Sequence, residues 1–250
     1  LKTGMFTSPH LVDFRERIQV QGDMISKEDT MRLGNRLLSM DFGVYPTMFD
    51  YCLAMALLYF KEQKCDVVIL ETGLGGTYDS TNACGVPDVT VIAKIGFDHM
   101  AILGDTLAKI AAEKAGIIKH GTALVLESQE KEAMDVLNKA AERADIKTTK
   151  VVNLDEIRIL PQKDGKQCFS YAGYDAVTMK MLGVHQYENA VAAMLAAELF
   201  FEKYFAGKKN VPERKALQHA IREGIDRTQW MGRMELVSND PFFLMDGAHN

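Results

Sequence analysis

Cysteine is scarce in this chain and scattered. Cys52, Cys65, Cys84 and Cys168 form no Cys-x-x-Cys pair and have no histidine at a zinc-ligand spacing. Neither a disulfide framework nor a zinc site is therefore expected, and the thiols read as reduced. Long apolar runs are also missing. The longest, Tyr51 to Phe60, falls far short of the roughly 20 residues that cross a bilayer. The opening Leu1-Lys2-Thr3-Gly4 does not start a signal peptide, so a cytoplasmic protein with no membrane partner is expected. Positive charge is not in excess: 29 Lys and Arg stand against 34 Asp and Glu, for a formal net charge of −5. With no basic stripe, a nucleic-acid footprint is excluded, and an anionic substrate would need a local cluster or a metal. No internal repeat or low-complexity tract occurs. The 250 residues, 47% hydrophobic and 25% charged, suit one large or two modest globular domains.

The most informative stretch is Glu71-Thr72-Gly73-Leu74-Gly75-Gly76-Thr77-Tyr78-Asp79-Ser80-Thr81-Asn82, directly after Val67-Val68-Ile69-Leu70. A short β-branched run predicts a strand buried on both faces, and ligands of open parallel sheets bind at the carboxyl ends of such strands. Glycines let backbone approach a bound group closely, and the Asp-Ser-Thr-Asn run offers hydrogen-bonding oxygens and amides. Phosphate, a metal or a polar heterocycle would suit the loop. Taken alone, it fits equally a tight strand-to-helix turn carrying a solvated carboxylate.

At the start of the chain, Pro9 pushes Ser8 toward an extended backbone, which makes its hydroxyl available as a ligand. Arg17 to Val20 alternates like a strand. Ser26 opens a helix running to about Met40, and Thr47 caps a second one running to about Gln63. After the Gly-rich loop, Val89 to Ala93 predicts a second buried strand ending near Asp98-His99. A helix follows Gly104-Asp105-Thr106, with Leu107, Ile110, Ala111 and Lys114 on one face; a lysine there either snorkels or has a task. Ala123 to Leu126 predicts a third buried strand and Glu130 to Arg143 a helix. This alternation indicates an α/β fold with a mostly parallel sheet flanked by helices.

From residue 151 to 182 the texture changes to short alternating segments broken by Asp164-Gly165 and Ala172-Gly173, expected to form a small antiparallel subdomain. An alanine-rich helix running to about Tyr204 places Asn189 in its first turn, where side chains meet anions and bases. Pro212 opens another helix, and Gly224 to Gly232 reads as a linker. Phe242 to Met245 then leads to a third polar cluster, Asp246-Gly247-Ala248-His249-Asn250.

A carboxylate, an imidazole and a hydroxyl at strand ends suit a divalent cation, and an oxygen-rich set favours magnesium or manganese over zinc. Seven motifs stand in order: Thr7-Ser8-Pro9-His10-Leu11; Glu71 to Asn82; Asp98-His99 with Leu103-Gly104; Glu113-Lys114-Ala115-Gly116-Ile117; His185-Gln186 with Asn189; Gly232-Arg233; and Asp246 to Asn250. Together they resemble the folylpolyglutamate synthase and dihydrofolate synthase family of the Mur ligase superfamily, from end to end of the chain.

The resemblance implies ATP-dependent amide-bond formation: a folate or dihydropteroate carboxylate takes the γ-phosphoryl group, and L-glutamate captures the acyl phosphate. It implies Ser8, Glu71 and His99 as magnesium ligands, with Glu71, His99 and a carbamylated Lys114 as the catalytic set. Asn189, Arg233, Asp246 and His249 are implied as ATP contacts, and Thr47, Tyr78, Asp79 and Ser80 as contacts of the pterin-bearing substrate. Residues 1–228 would form a Mur-ligase central domain and 229–250 the start of a C-terminal α/β domain, in a monomeric cytoplasmic enzyme.

There are departures. A Gly-Lys-Ser or Gly-Lys-Thr phosphate loop is expected shortly before Leu1 and more C-terminal domain after Asn250, so residues 1–250 read as a central piece, inactive alone. Thr77 stands where the family usually has arginine, and Met231 where it has proline. A Rossmann dehydrogenase fits poorly, because the glycine required after Gly73-Leu74-Gly75 would fall at Tyr78. Another Mur-superfamily ligase, acting on a cell-wall precursor, and a non-catalytic nucleotide-binding domain remain as alternatives.

Overall fold

A computed structural model describes residues 1–247. It forms two compact units, the first spanning Leu1–Gly85 and the second beginning at Val86.

In the first unit, β1 (Thr3–Phe6), β2 (Ile18–Val20) and β3 (Asp23–Met24) are followed by α1 (Lys27–Leu38), α2 (Met48–Glu62) and β4 (Val67–Leu70). The sheet order is β3-β2-β1-β4. β1 and β4 are parallel, with Phe6 opposite Leu70, and the other pairs are antiparallel. Ser26 starts α1 by accepting the Asp29 N–H at 3.0 Å, and Glu28 and Asp29 meet the positive end of the helix dipole. Phe6, Ile18, Ile25, Leu33 and Ala56 are fully buried between sheet and helices. Gly4 permits this packing, because a Cβ there would lie 2.6 Å from the Phe60 ring.

The second unit contains β5 (Val89–Ile92), α3 (Met100–Leu103), α4 (Leu107–Lys114), β6 (Ala123–Leu126), α5 (Lys131–Arg143) and β7 (Thr149–Val151). After these come β8 (Arg158–Lys163), β9 (Lys166–Tyr171), β10 (Tyr174–Met179), α6 (His185–Phe205), α7 (Arg214–Arg227), β11 (Glu235–Asn239) and β12 (Phe242–Met245). β5, β6 and β7 form a parallel sheet with β6 in the centre, β8 to β10 an antiparallel sheet, and β11 and β12 a hairpin. Side chains alternate across β6, as the two-residue period of a strand requires. Leu124 and Leu126 share a core with Ile110 of α4 and Leu137 of α5, whereas Ala123 and Val125 share one with Val191 and Met194 of α6.

The expected α/β architecture is present, as are the antiparallel subdomain and its two turns, where Asp164, Gly165, Ala172 and Gly173 all have positive φ. Several details differ. β4 was expected to be buried on both faces; it lies at the edge of its sheet, with Ile69 54% exposed. β5 is likewise an edge strand with Val91 exposed, and burial depends on neighbours that a local run cannot specify. α7 passes through Gly224 to Arg227, so the expected linker starts later. α6 begins at His185, which places Asn189 in its second turn rather than its first. No described helix is long and apolar enough to cross a membrane.

Asp226 ties α7 to the antiparallel sheet, accepting from Lys166 Nζ at 2.7 and 2.8 Å and from Thr178 Oγ1 at 2.5 Å. The Lys166 ammonium, followed by the Thr178 hydroxyl, holds the Asp226 carboxyl below its usual range. A depressed folded-state pKa contributes stability above the unfolded value of about 3.9 and loses it as pH falls through the folded value. Asp226→Asn should cost about 1 kcal/mol at pH 7. In urea unfolding followed by circular dichroism, its difference from the parent should shrink below pH 4 or so. Leu137→Ala, in the fully buried α5 face, should cost about 2 to 5 kcal/mol at both pH values in the same measurement.

Candidate functional site

In the first unit, the parallel pairing of β1 and β4 brings Ser8 and Glu71 to one end of the sheet. The Glu71 N–H continues the ladder to the Phe6 carbonyl at 2.9 Å, and Glu71 Oε2 accepts the Ser8 N–H at 2.7 Å. The contact uses the Ser8 backbone, and the Ser8–Pro9 peptide is cis.

The loop after Glu71 is framed by its own side chains. Asp79 Oδ2 accepts the Gly73 and Leu74 N–H groups at 2.9 and 3.1 Å, and Oδ1 accepts Thr81 N–H at 2.9 Å. Asn82 Nδ2 donates to the Gly76 carbonyl at 2.5 Å. Gly73 lies against Phe49 of α2, where a Cβ would come within 2.6 Å of the ring. Asp50 joins this loop to the helix: Thr47 donates to Oδ2 through its N–H at 2.7 Å and its hydroxyl at 2.8 Å, and the Ser80 hydroxyl donates to Oδ1. These bonds, Ser80's foremost, hold the Asp50 carboxyl below its usual range. Of the expected substrate contacts, Thr47, Asp79 and Ser80 therefore have internal partners, while the Tyr78 ring stands 92% exposed. Sequence reasoning identified Thr47 as a cap but not Asp50 as its partner; the Thr-x-x-Asp spacing of a capping box was the available signal.

In the second unit, His99 follows β5 in a left-handed conformation with φ 49° and precedes α3. Its N–H donates to Asp98 Oδ1 at 2.7 Å, and its Nε2 lies 3.7 Å from Asp98 Oδ2. Lys114 is the last residue of α4 and is half-buried at the end of the apolar stripe made by Leu107, Ile110 and Ala111. Asn189 Nδ2 donates to Gln186 Oε1 at 3.0 Å across one turn of α6. The β11–β12 hairpin brings Arg233 and Asp246 to one end: the Met234 N–H donates to Asp246 Oδ2 at 2.7 Å and the Gly247 N–H to the Gly232 carbonyl at 2.7 Å. His249 lies outside the described residues.

Sequence reading also missed Glu127, directly after β6 and only 2% exposed. Its Oε2 accepts the Lys94 N–H at 2.6 Å. Burial, reinforced by the neighbouring Glu188 carboxylate, pushes its carboxyl above the usual range despite that bond. No motif marks it, because a lone glutamate after an apolar strand usually points to solvent. Among the described residues, no group of three or more His, Cys, Asp or Glu side chains is arranged to hold a metal.

A dihydrofolate synthase/folylpolyglutamate synthase of Bacillus subtilis is 39% identical over 262 residues, covering 99% of this chain and 58% of that protein. A folylpolyglutamate synthase of Mycobacterium tuberculosis complexed with ADP is 31% identical with a TM-score of 0.82, covering 100% of this chain and 56% of the other. A folylpolyglutamate synthase complex with AMPPCP and folate is 26% identical, also at a TM-score of 0.82, covering 100% and 62%. The chain thus spans about half the length of the curated relatives it matches. The Mur ligase middle domain matches residues 44–197, from the Thr47 cap through Glu71, His99 and Lys114 to Asn189. With more than half of its residues in that match, the chain belongs to the Mur ligase family.

Proposed function

We propose that the protein is an ATP-dependent ligase that joins L-glutamate to the carboxylate of a folate or a dihydropteroate through an acyl phosphate. The observation that carries this reading is the end-to-end likeness to folylpolyglutamate synthases, combined with the seating of Glu71 and Ser8 at the shared end of two parallel strands. ADP, AMPPCP and folate in the similar structures support nucleotide and folate as the ligand classes.

Each chain segment has a role in this reading. Glu71 and the Ser8 hydroxyl hold Mg²⁺, and His99 is a further proposed ligand. Oxygen donors of this kind suit magnesium, which keeps several waters and binds through one or two carboxylates plus phosphate oxygens. When bound, the ion neutralises charge on the transferring phosphoryl group. Asn189, Arg233, Asp246 and His249 receive the nucleotide. Tyr78, on a loop fixed by Asp79 and Asp50, meets the pterin-bearing substrate, with Thr47, Asp79 and Ser80 shaping that surface. Lys114 is proposed to act as a carbamate, an anion that can orient polar groups where a free ammonium would repel a cation. Residues 1–228 serve as the middle domain and 229–250 open the next, in a monomeric cytoplasmic enzyme.

The direct test is to incubate the full-length protein with ATP, Mg²⁺, L-glutamate and either dihydropteroate or a reduced folate. Formation of ADP, phosphate and the glutamylated product supports the reading; ATP-independent or absent ligation with both acceptors rejects it. In that assay Glu71→Gln, which keeps shape and removes charge, should raise the Mg²⁺ requirement and lower turnover by roughly 10- to 100-fold. An unchanged Mg²⁺ profile would leave Glu71 as a loop carboxylate alone. Lys114→Ala should lose activity and recover part of it when short carboxylic acids are added, since these can replace the carbamate's charge. Full activity without rescue would return Lys114 to the role of a snorkelling helix residue.

A further inference from the structure

Beyond Ile92 and Leu126 the parallel ladder of β5 and β6 stops, yet the chain after β5 stays hydrogen-bonded to the chain after β6. The last backbone bond is from the Glu127 N–H to the Ile92 carbonyl at 3.0 Å. From there side chains take over. Glu127 Oε2 accepts the Lys94 N–H at 2.6 Å, Gln129 Oε1 accepts the Ile95 N–H at 2.8 Å, and Gln129 Nε2 donates to the Ala93 carbonyl at 3.0 Å. Three consecutive residues thus have their main chain tied to two side chains, and Ile95 is anchored in the core at 3% exposure. Replacing a backbone partner by a longer side chain lets the β5 chain leave the sheet on a defined path, toward Asp98 and His99.

The same segment is held from a third element. Glu188, next to Asn189 in α6, accepts the Ser128 N–H at 2.6 Å, and its carboxylate neighbours that of Glu127. Residues 127–129 therefore form a short splint with the β5 loop on one side and the opening turns of α6 on the other. A buried carboxylate is costly unless it is hydrogen-bonded. Its seat here is explained by the unpartnered loop amide that it satisfies.

We propose that Glu127, assisted by Gln129, is a positioning residue that holds the Lys94–His99 loop and the Glu188–Asn189 turn of α6 in the mutual arrangement required to receive MgATP. This rests on the ligase reading above and deepens it. Glu127 acts through the backbone of Lys94 rather than on the nucleotide. The neutral Gln side chain, which keeps a carbonyl oxygen for the Lys94 N–H and offers an amide to Glu188, should therefore replace it.

The test compares Glu127→Gln, Glu127→Leu and Gln129→Leu in the full-length protein by two readouts: amide hydrogen exchange across residues 93–99, and separate KM values for MgATP and for glutamate. Glu127→Leu should release protection of the Lys94 amide and raise the KM for MgATP about tenfold or more, with the KM for glutamate unchanged. Gln129→Leu should do the same to a smaller extent through Ile95, and Glu127→Gln should behave as the parent. The proposal is overturned if Glu127→Leu leaves the loop protected, or if the loop opens while the MgATP KM stays constant. It is also overturned if Glu127→Gln is as impaired as Glu127→Leu, because the charge would then act directly. Should Glu127→Leu fail to fold, Gln129→Leu decides by the same criteria. Failure of the functional reading has a different sign: the parent protein would ligate no glutamate, while the exchange pattern and binding of an ATP analogue to the three variants would still report on the loop.

Discussion

An acidic side chain accepting a backbone N–H where a ladder or turn stops is the interaction on which the candidate sites depend. A buried or half-buried amide without a partner costs about as much as a lost hydrogen bond, and every parallel strand that ends creates some. Glu71 receives the Ser8 amide, Glu127 that of Lys94, Glu188 that of Ser128, Asp79 those of Gly73 and Leu74, and Asp246 that of Met234. Charge-assisted bonds of this type are short and directional. They turn loop ends into defined geometry and leave carboxylates at the edge where ligands of α/β sheets bind.

This arrangement suits a chain whose formal net charge is already −5. Acids already engaged by backbone amides have part of their charge offset, and the remainder can attract a hard cation that brings phosphate with it. The loops share the same economy of parts. Asp79 frames the Gly73–Gly76 turn, Asp50 connects that turn to the N-terminus of α2, and Phe49 occupies the space that Gly73 leaves open. Substitution of an acid in this set therefore changes the position of main chain as well as the local charge.

The sequence by itself determined much of the local structure. The Ser26 and Thr47 caps, the apolar run of β6, the paired turns of the antiparallel subdomain and the Glu71–Asn82 loop are written in neighbouring residues, because caps, turns and short strands are selected by local sterics and hydrogen bonding. The ordered motifs were also legible, and with them the family. The tertiary structure alone decided which strands are edges and which residues meet. β4 and β6 read as equally apolar, yet only β6 has a hydrogen-bonded strand on each side, and burial follows from those neighbours. Asp50 and Ser80 are 30 positions apart, Glu127 and Lys94 are 33, and Glu188 and Ser128 are 60. No local pattern could pair them, since partners at such separations are chosen by the packing of whole elements.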